Sequence, residues 1–371
     1  MTKKKDPIRV LIVDDSAVIR GTLGKIIDAE EDLQVATTAP NGRMALDALR
    51  HTPVDVVLLD IEMPEMDGLT ALPQILAQHP DIRVVMASSL TQSGAAITMQ
   101  ALSLGATDYI AKPAAKLGTA ALSSAQKEIV SKIRAIGRAG RAQKGKAAPS
   151  ASRPATALGA RPLVSVSTAL AGAVGSELTP RIIAIAASTG GPNALADVLS
   201  GLPADFPLPI VITQHMPPLF TGLLAQRLAR DAKRPAVEAI DGMEMRPGVT
   251  YVAPGDYHML VQTHEGKPYL RLTQTAPENH CRPAADPMLR SVAAVYGASA
   301  LTVVLTGMGE DGKRGCEEIR QRGGRVIAQD EATSVVWGMP GAVATAGLAH
   351  YVLPLPEIAH KIASLCLVTA S

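Results

Sequence analysis

The chain has 371 residues, of which 47% are apolar and 19% charged, so it is long enough for two or three domains and too apolar to be disordered throughout. Its 36 basic and 34 acidic residues are unevenly spread. Residues 6–120 carry 8 basic and 15 acidic residues, residues 121–178 carry 9 basic and 2 acidic, and residues 179–371 carry 16 basic and 17 acidic. Three cysteines without a C-x-x-C pair argue against a disulfide framework, and no apolar run is long enough to span a bilayer. A cytoplasmic protein without direct membrane insertion is expected.

Short β-branched segments alternate with helix-like segments in the first part of the chain. The apolar runs are nearly continuous, which is typical of strands buried on both faces of a parallel sheet. The pattern predicts a doubly wound α/β domain over residues 6–125. Its predicted strands are Val10–Val13, Val35–Thr38, Val54–Asp60, Val84–Ala87 and Tyr109–Ala111.

A basic segment follows this domain. A final helix is predicted over Ala120–Arg138, and Arg138–Pro180 is rich in Ala, Gly, Ser, Pro and Arg. This composition predicts that residues 126–178 hold the end of the helix and a flexible linker. Contact with nucleic acid is disfavoured, because the segment contains neither an aromatic residue nor a known binding motif.

Residues 179–371 resume the alternation and predict a second α/β domain. We expect a mostly parallel sheet with an antiparallel excursion around Tyr251–Gln274. The predicted strands are Ile182–Ala186, Ile210–Thr213, Thr250–Ala253, Tyr269–Gln274, Ala300–Thr306 and Arg325–Ala328, and the predicted helices include Asn193–Ser200, Leu219–Arg230, Ala284–Tyr296 and Gly312–Arg322.

Carboxylates cluster at strand ends in the first domain. Asp14 and Asp15 follow the first strand, and Asp60 ends the third. Strand ends of a doubly wound sheet converge on one crevice, where three carboxylates favour a hard cation such as Mg²⁺. The alternative is that Asp14 and Asp15 only cap the next helix beside Ser16.

A hydroxyl and an ammonium are predicted at the same edge. Ser88 ends the fourth strand and Lys112 follows the fifth. The combination suits phosphoryl transfer to a carboxylate, with Lys112 paired to the acyl phosphate, although a plain ion pair from Lys112 to an aspartate would look the same.

These segments resemble the receiver domain of two-component response regulators. The resemblance rests on Val10–Ser16, Leu58–Gly68, Ala87–Ser89 and Ala111–Pro113. It implies a flavodoxin-like fold, with Asp60 as the phosphorylated residue. It also implies that Asp14, Asp15 and Asp60 hold Mg²⁺, and that Ser88, Tyr109 and Lys112 act in the switch.

A candidate nucleophile lies at the first strand end of the second domain. Ser188 follows Ile182–Ala186, and small residues with Pro192 lead into a helix, whose N-terminus can bind an oxyanion. Two other interpretations stay open at this point: a simple helix cap by Ser188 or Thr189, or a phosphate-binding turn, although no G-x-G-x-x-G or Walker pattern is present.

A base and an orienting carboxylate follow later strands. His215 comes after Ile210–Thr213, and Asp311 comes after the strand that begins at Ala300. All three candidates therefore follow strand ends, in the order Ser, His, Asp, which differs from the order in α/β-hydrolases. Glu310 is the competing carboxylate, and the turn around it could be an ordinary one.

The second domain resembles the catalytic domain of the chemotaxis protein-glutamate methylesterases. The matching segments are Ala186–Pro192, Ile212–Pro218, Val252–Asp256, His280–Pro283, Leu305–Gly312 and Ala328–Ala332. The resemblance implies a catalytic triad of Ser188, His215 and Asp311. It implies an oxyanion and substrate region at Met308 and Thr189, with Arg282 as a candidate substrate contact or else a surface ion pair. Two departures are Glu310, where many relatives have Asn, and the absence of G-x-S-x-G.

The implied function is hydrolysis of glutamate methyl esters on chemoreceptors, activated by phosphorylation, together with deamidation of receptor glutamines. The implied partners are the cytoplasmic domains of chemoreceptors and a chemotaxis histidine kinase. Ester hydrolysis itself would need no cofactor. Two alternatives are a response regulator whose output domain only binds, and an esterase for a small ester; three chemical groups at strand ends argue against the first.

Overall fold

The computed structural model describes residues 6–89, 91–113, 119–146 and 178–367, which fold into two α/β domains. The first domain has a five-stranded parallel sheet in the order β2-β1-β3-β4-β5, so the doubly wound, flavodoxin-like prediction is confirmed. Each predicted strand overlaps one of the observed strands: β1 (Ile8–Val13), β2 (Leu33–Ala39), β3 (Val56–Asp60), β4 (Arg83–Ser88) and β5 (Asp108–Ala111).

Helices cover both faces of this sheet. The first four begin at a residue whose side chain accepts a backbone hydrogen bond from the first turn, which satisfies an otherwise unpaired N–H. These caps are Ser16, Asn41, Asp67 and Thr91. The helices are α1 (Ala17–Asp28), α2 (Gly42–His51), α3 (Gly68–Gln78), α4 (Gln92–Ser103) and α5 (Thr119–Lys146).

Helix α5 extends eight residues beyond the predicted end at Arg138. Its small residues serve close packing: a Cβ on Gly137 would lie 2.5 Å from Ile8 Cγ2, so this turn needs glycine to approach β1. Arg141 anchors the next turn by donating to Asp55 Oδ2 at 2.6 Å. The composition that suggested a linker therefore belongs in part to a packed helix, and the rest of the predicted linker, 147–177, lies outside the described residues.

The second domain is built on seven parallel strands in the order β14-β13-β12-β6-β7-β9-β8, beside a separate antiparallel hairpin of β10 and β11. The predicted mostly parallel sheet and its antiparallel excursion are both present. The edge strands β8 and β14 and the hairpin strand β10 were not among the predicted strands. The strands are β6 (Ile182–Ala187), β7 (Ile210–Gln214), β8 (Ala236–Glu238), β9 (Thr250–Val252), β10 (His258–His264), β11 (Lys267–Thr273), β12 (Ala300–Val304), β13 (Arg325–Gln329) and β14 (Tyr351–Leu353).

The helices of the second domain flank this sheet. They are α6 (Gly191–Ser200), α7 (Pro218–Ala232), α8 (Ala285–Tyr296), α9 (Lys313–Gln321), α10 (Met339–Thr345) and α11 (Leu355–Cys366). In the described part of the chain, no helix is both long and apolar enough to cross a membrane.

The two domains contact each other through side chains. The Tyr109 ring of β5 stacks on the Phe220 ring of α7, with centroids 4.5 Å apart. Asn193 Nδ2 on α6 donates to the Ala106 carbonyl at 3.1 Å. Gln143 Nε2 on α5 donates to the carbonyls of Ala332 and Ser334 at 3.2 and 3.3 Å.

Candidate functional site

The predicted acidic cluster forms at the ends of β1 and β3. Carboxylate oxygens of Asp14, Asp15 and Asp60 lie within 4.8 Å of one another. Ser16 caps helix α1 and Asp14 Oδ1 accepts from the Ser16 amide at 2.9 Å, so capping alone does not account for the whole cluster. Burial, with a smaller contribution from Asp14, raises the pKa of Asp60, although Lys112 opposes the shift.

Lys112 lies against this cluster, as predicted. Its Nζ is 2.6 Å from Asp60 Oδ1 and 2.9 Å from Asp14 Oδ2. A cavity of about 230 Å³ opens beside them. Asp15 is exposed, so solvent reaches the cluster.

Ser88 and Tyr109, the other two predicted switch residues, are buried, and among the described residues neither side chain bonds the aspartates. Ser88 Oγ accepts from Thr98 Oγ1 at 2.7 Å and faces α4. Tyr109 is held between Phe220 and Lys132, whose Nζ lies 4.8 Å from the ring centroid. The side chain predicted to report the state of Asp60 therefore contacts the second domain.

Ser188 lies in the turn between β6 and α6. Its amide donates to the Thr306 carbonyl at 3.0 Å, which ties the turn to the chain after β12. A Cβ on Gly307 would lie 2.8 Å from Ser188 Cβ, so only glycine lets the two loops approach so closely. Ser188 itself is half-buried.

His215 follows the neighbouring strand β7, in which Gln214 pairs with Ala187 of β6. The His215 amide donates to the Ala187 carbonyl at 3.2 Å, and Gln214 Nε2 donates to the carbonyls of Ser188 and His215 at 2.9 and 3.3 Å. Gln214 therefore links the serine turn to the histidine turn, a role that was not predicted from the sequence. Gln214 lies in the segment Ile212–Pro218 that resembles the methylesterase family, but a sequence motif does not show which way an amide points.

The imidazole of His215 is oriented by Asp311. Nε2 lies 2.7 Å from Asp311 Oδ2, and Cys281 Sγ lies 3.6 Å from Nδ1. Burial lowers the pKa of His215, but the hydrogen bonds with Asp311 and Cys281 outweigh it and raise the pKa overall. The Cys281 contact was not predicted, since nothing in a lone cysteine indicates its neighbour.

Asp311 is 2% exposed and accepts several hydrogen bonds besides the one from His215. The donors are the amides of Ala285, Asp286 and Gly312, together with Asn279 Nδ2 at 2.8 Å. Burial would raise the pKa of Asp311, but His215 and the backbone donors lower it overall. The carboxylate is therefore held ionised in its position.

Two backbone amides near Ser188 are free to donate. Among the described residues, neither the Thr189 nor the Met308 amide has a hydrogen-bond acceptor, and the buried Thr189 Oγ1 lacks a partner as well. These are the residues predicted for the oxyanion region. Unpaired donors beside a nucleophile suit the negative oxygen of a tetrahedral intermediate.

Two other candidates, Arg282 and Glu310, take part in ion pairs. Arg282 Nη2 donates to Asp256 Oδ1 at 2.6 Å, so the surface ion pair named as the alternative to a substrate contact is present. Glu310 is exposed and its carboxylate lies 3.9 Å from Lys313 Nζ.

The first domain also packs near the serine site. Val336 belongs to the apolar cluster formed mainly by residues of the first domain, and Met308 and Val335 pack against that cluster. The loop that carries Met308, one of the two candidate oxyanion donors, is thus in contact with the receiver-like domain.

The chain joins a doubly wound domain with an acidic site of the phosphorylation type to an α/β domain with Ser188, His215 and Asp311 at adjoining strand ends. This combination defines a class of protein: response regulators with an enzymatic output domain. Comparisons with known proteins agree. Residues 10–121 match the response regulator receiver domain model, and residues 183–362 match the CheB methylesterase model.

The chain belongs to the CheB methylesterase family. It is 48% identical over 360 residues to a protein-glutamate methylesterase/protein-glutamine glutaminase of Azospirillum brasilense, covering 95% of this chain and 91% of that protein. A second such protein, from Paramagnetospirillum magneticum, is 50% identical over 368 residues, and the match covers 97% of this chain and 96% of that protein. The crystal structure of the Thermotoga maritima CheB methylesterase catalytic domain is 43% identical, covers 51% of this chain and 100% of that chain, and has a TM-score of 0.49. The alternative of a non-catalytic output domain gains no support from these matches.

Proposed function

We propose that this chain hydrolyses methyl esters of glutamate side chains on the cytoplasmic domains of chemoreceptors, with Ser188, His215 and Asp311 as its catalytic triad. The observation that carries the proposal is the short hydrogen bond between His215 Nε2 and Asp311 Oδ2, 2.7 Å long, at the strand end next to Ser188. Membership of the family supports the ester as substrate.

The hydrogen bond between His215 Nε2 and Asp311 supports Nδ1 as the nitrogen that acts as the base. Because Nε2 carries the proton that is donated to Asp311, the lone pair is on Nδ1. Ser188 Oγ attacks the ester carbonyl carbon and its proton passes to Nδ1. The amides of Thr189 and Met308 donate to the negative oxygen of the intermediate.

The second half of the reaction releases the products. His215 returns the proton to the departing methoxide, so methanol leaves and an acyl-serine remains. Water, deprotonated by His215, then hydrolyses the acyl-serine to glutamate and free Ser188. A glutamine side chain follows the same steps with ammonia as the leaving group.

Asp60 is the proposed phosphorylation site, with a chemotaxis histidine kinase as the phosphate donor in the cytoplasm. The donor set of Asp14, Asp15 and Asp60 fits Mg²⁺, because three carboxylates converge and one is open to solvent. When bound, the ion neutralises phosphoryl oxygens. Lys112, Ser88 and Tyr109 then respond to the phosphoryl group, and the receiver domain moves away from the serine site.

Methanol release from methylated receptor membranes tests both halves of this proposal. We expect wild-type enzyme to release methanol faster with acetyl phosphate and Mg²⁺, Ser188→Ala to be silent, and Asp60→Asn to keep the unstimulated rate only. Ser200→Ala, an exposed serine at the far end of α6, is the matched control and should behave as wild type. Full activity in Ser188→Ala would refute the serine mechanism, whereas stimulation of Asp60→Asn would refute only the phosphorylation site.

A further inference from the structure

A second buried carboxylate lies behind the proposed triad. Asp286, in the first turn of α8, is 1% exposed. Its Oδ2 accepts from Asn279 Nδ2 at 2.9 Å, and the same amide nitrogen donates to Asp311 Oδ1 at 2.8 Å. Both amide hydrogens of Asn279 are therefore used to join the two carboxylates.

The other oxygen of Asp286 has a separate partner. Oδ1 accepts from the Gly315 amide at 2.7 Å, in the first turn of α9. This helix has Gly312 as its cap residue, which offers no side chain to accept such a bond. Asp286 thus holds the start of α9, directly after Asp311.

Two carboxylates this close repel each other in a buried place. Burial raises the pKa of Asp286 and the charge of Asp311 adds to the rise, whereas the hydrogen bonds from Gly315 and Asn279 and the charge of Arg290 oppose it. Burial, with a smaller contribution from the charge of Asp286, raises the pKa of the Cys316 thiol on α9. Burying two neighbouring carboxylates is unfavourable, so Asp286 is expected to have a role that offsets this unfavourable energy. The reaction described above does not use Asp286.

We propose that Asn279 and Asp286 are positioning residues for the triad: Asp286 orients the Asn279 amide, and Asn279 holds Asp311 with Oδ2 toward His215. The inference rests on the proposed triad and adds to it. Without Asn279, the Oδ1 oxygen loses its side-chain donor and the charge of Asp311 is less compensated.

The pH dependence of kcat/KM separates this role from simple packing. His215 faces Asp311 on one side and Cys281 on the other, so its pKa, which sets the acid limb of the profile, follows the charge on the Asp311 side. A variant that adds negative charge there should move the limb to higher pH, and a variant that removes charge should move it to lower pH.

The experiment uses the full chain and methylated receptor membranes, with acetyl phosphate present. We expect Asn279→Ala to lower kcat about 10-fold with KM unchanged and to move the acid limb to higher pH. Asn279→Asp should move the limb to higher pH by about one unit. Asp286→Asn, which keeps an oxygen for the Gly315 amide, should lower the limb by about one unit. Glu310→Gln is the control: it removes a carboxylate next to Asp311 in the chain, but an exposed one that solvent screens.

An acid limb that stays in place in all three variants would overturn the inference, as would losses of kcat that only follow the loss of folded protein in thermal melts. If Asn279→Asp does not fold, the opposite shifts of Asn279→Ala and Asp286→Asn decide the question. Ser188→Ala, assayed in parallel, tells the two proposals apart. Activity in that variant refutes the triad itself, whereas a silent Ser188→Ala with unmoved limbs refutes only the role of Asn279 and Asp286.

Discussion

The tautomer of His215 follows from a single contact. Asp311 Oδ2 accepts the Nε2 proton at 2.7 Å, and the carboxylate is itself fixed by the amides of Ala285 and Asp286. An asparagine at position 311 would offer an N–H to Nε2 and so favour the proton on Nδ1, where it blocks the base. We expect Asp311→Asn to lower kcat by a factor on the order of 10⁴ with little change in KM.

Steady-state methanol release across pH measures this effect and a second one. Because the pKa of His215 is raised by its hydrogen bonds, the acid limb of the wild-type kcat/KM should lie above about pH 6.5, the ordinary histidine value. The residual activity of Asp311→Asn should have its limb at lower pH, since the negative charge is gone. A variant with wild-type kcat would show that another group orients the imidazole.

Helix α5 shows how side chains at one end of an element decide its extent. Asp55, just before β3, is 6% exposed and binds Arg9 and Arg141, the latter in the last turns of α5. Burial alone would raise the pKa of Asp55, but the two guanidinium groups hold it well below its usual range. This ion-paired carboxylate joins β1, β3 and α5.

We expect Asp55→Asn to lower the free energy of unfolding of the first domain by about 2 kcal/mol at neutral pH. Because the folded pKa is depressed, the contribution is present above about pH 3.9, the unfolded value, and is lost as the pH falls below it toward the folded pKa. Hydrogen exchange of β1 and α5 amides, measured by mass spectrometry, reports the change. Asp47→Asn, which breaks an exposed pair with Arg50, should change the stability by less than about 0.5 kcal/mol, and an equal effect of both variants would contradict this account.

The elements differ in how well the sequence predicts them. Strands such as β3 and β6 are buried at every position, so a continuous apolar run identifies them. The end of α5 was missed because glycine and arginine indicate a linker locally, and only the approach to Ile8 and Asp55 shows why they suit a helix. The same limit applies to the site: strand ends indicated His215, but a contact between distant segments, such as that of Asn279 with Asp311, has no local signal.

At the scale of the whole molecule, the receiver domain meets the catalytic domain through the helix that starts behind Ser188. Asn193 on α6 donates to the Ala106 carbonyl of the receiver at 3.1 Å, while its Oδ1 accepts from Arg227 at 2.8 Å. Stacking of Tyr109 on Phe220 adds an apolar contact beside it. Phosphorylation of Asp60 can activate the enzyme only if these contacts are stronger in the unphosphorylated state.

Asn193→Asp tests this coupling with a change of a single atom. The carboxylate still accepts from Arg227, but it cannot donate to the Ala106 carbonyl and instead repels it. We therefore expect the rate without acetyl phosphate to rise about 3- to 10-fold, the stimulated rate to stay the same, and the ratio between them to fall. Gln74→Glu makes the same kind of change on α3, where the amide donates to the Thr70 carbonyl of its own helix and, among the described residues, to no other group; it should leave the ratio unchanged. If Asn193→Asp keeps the wild-type ratio, this contact does not restrain the enzyme, and the Tyr109–Phe220 stack becomes the contact to alter next.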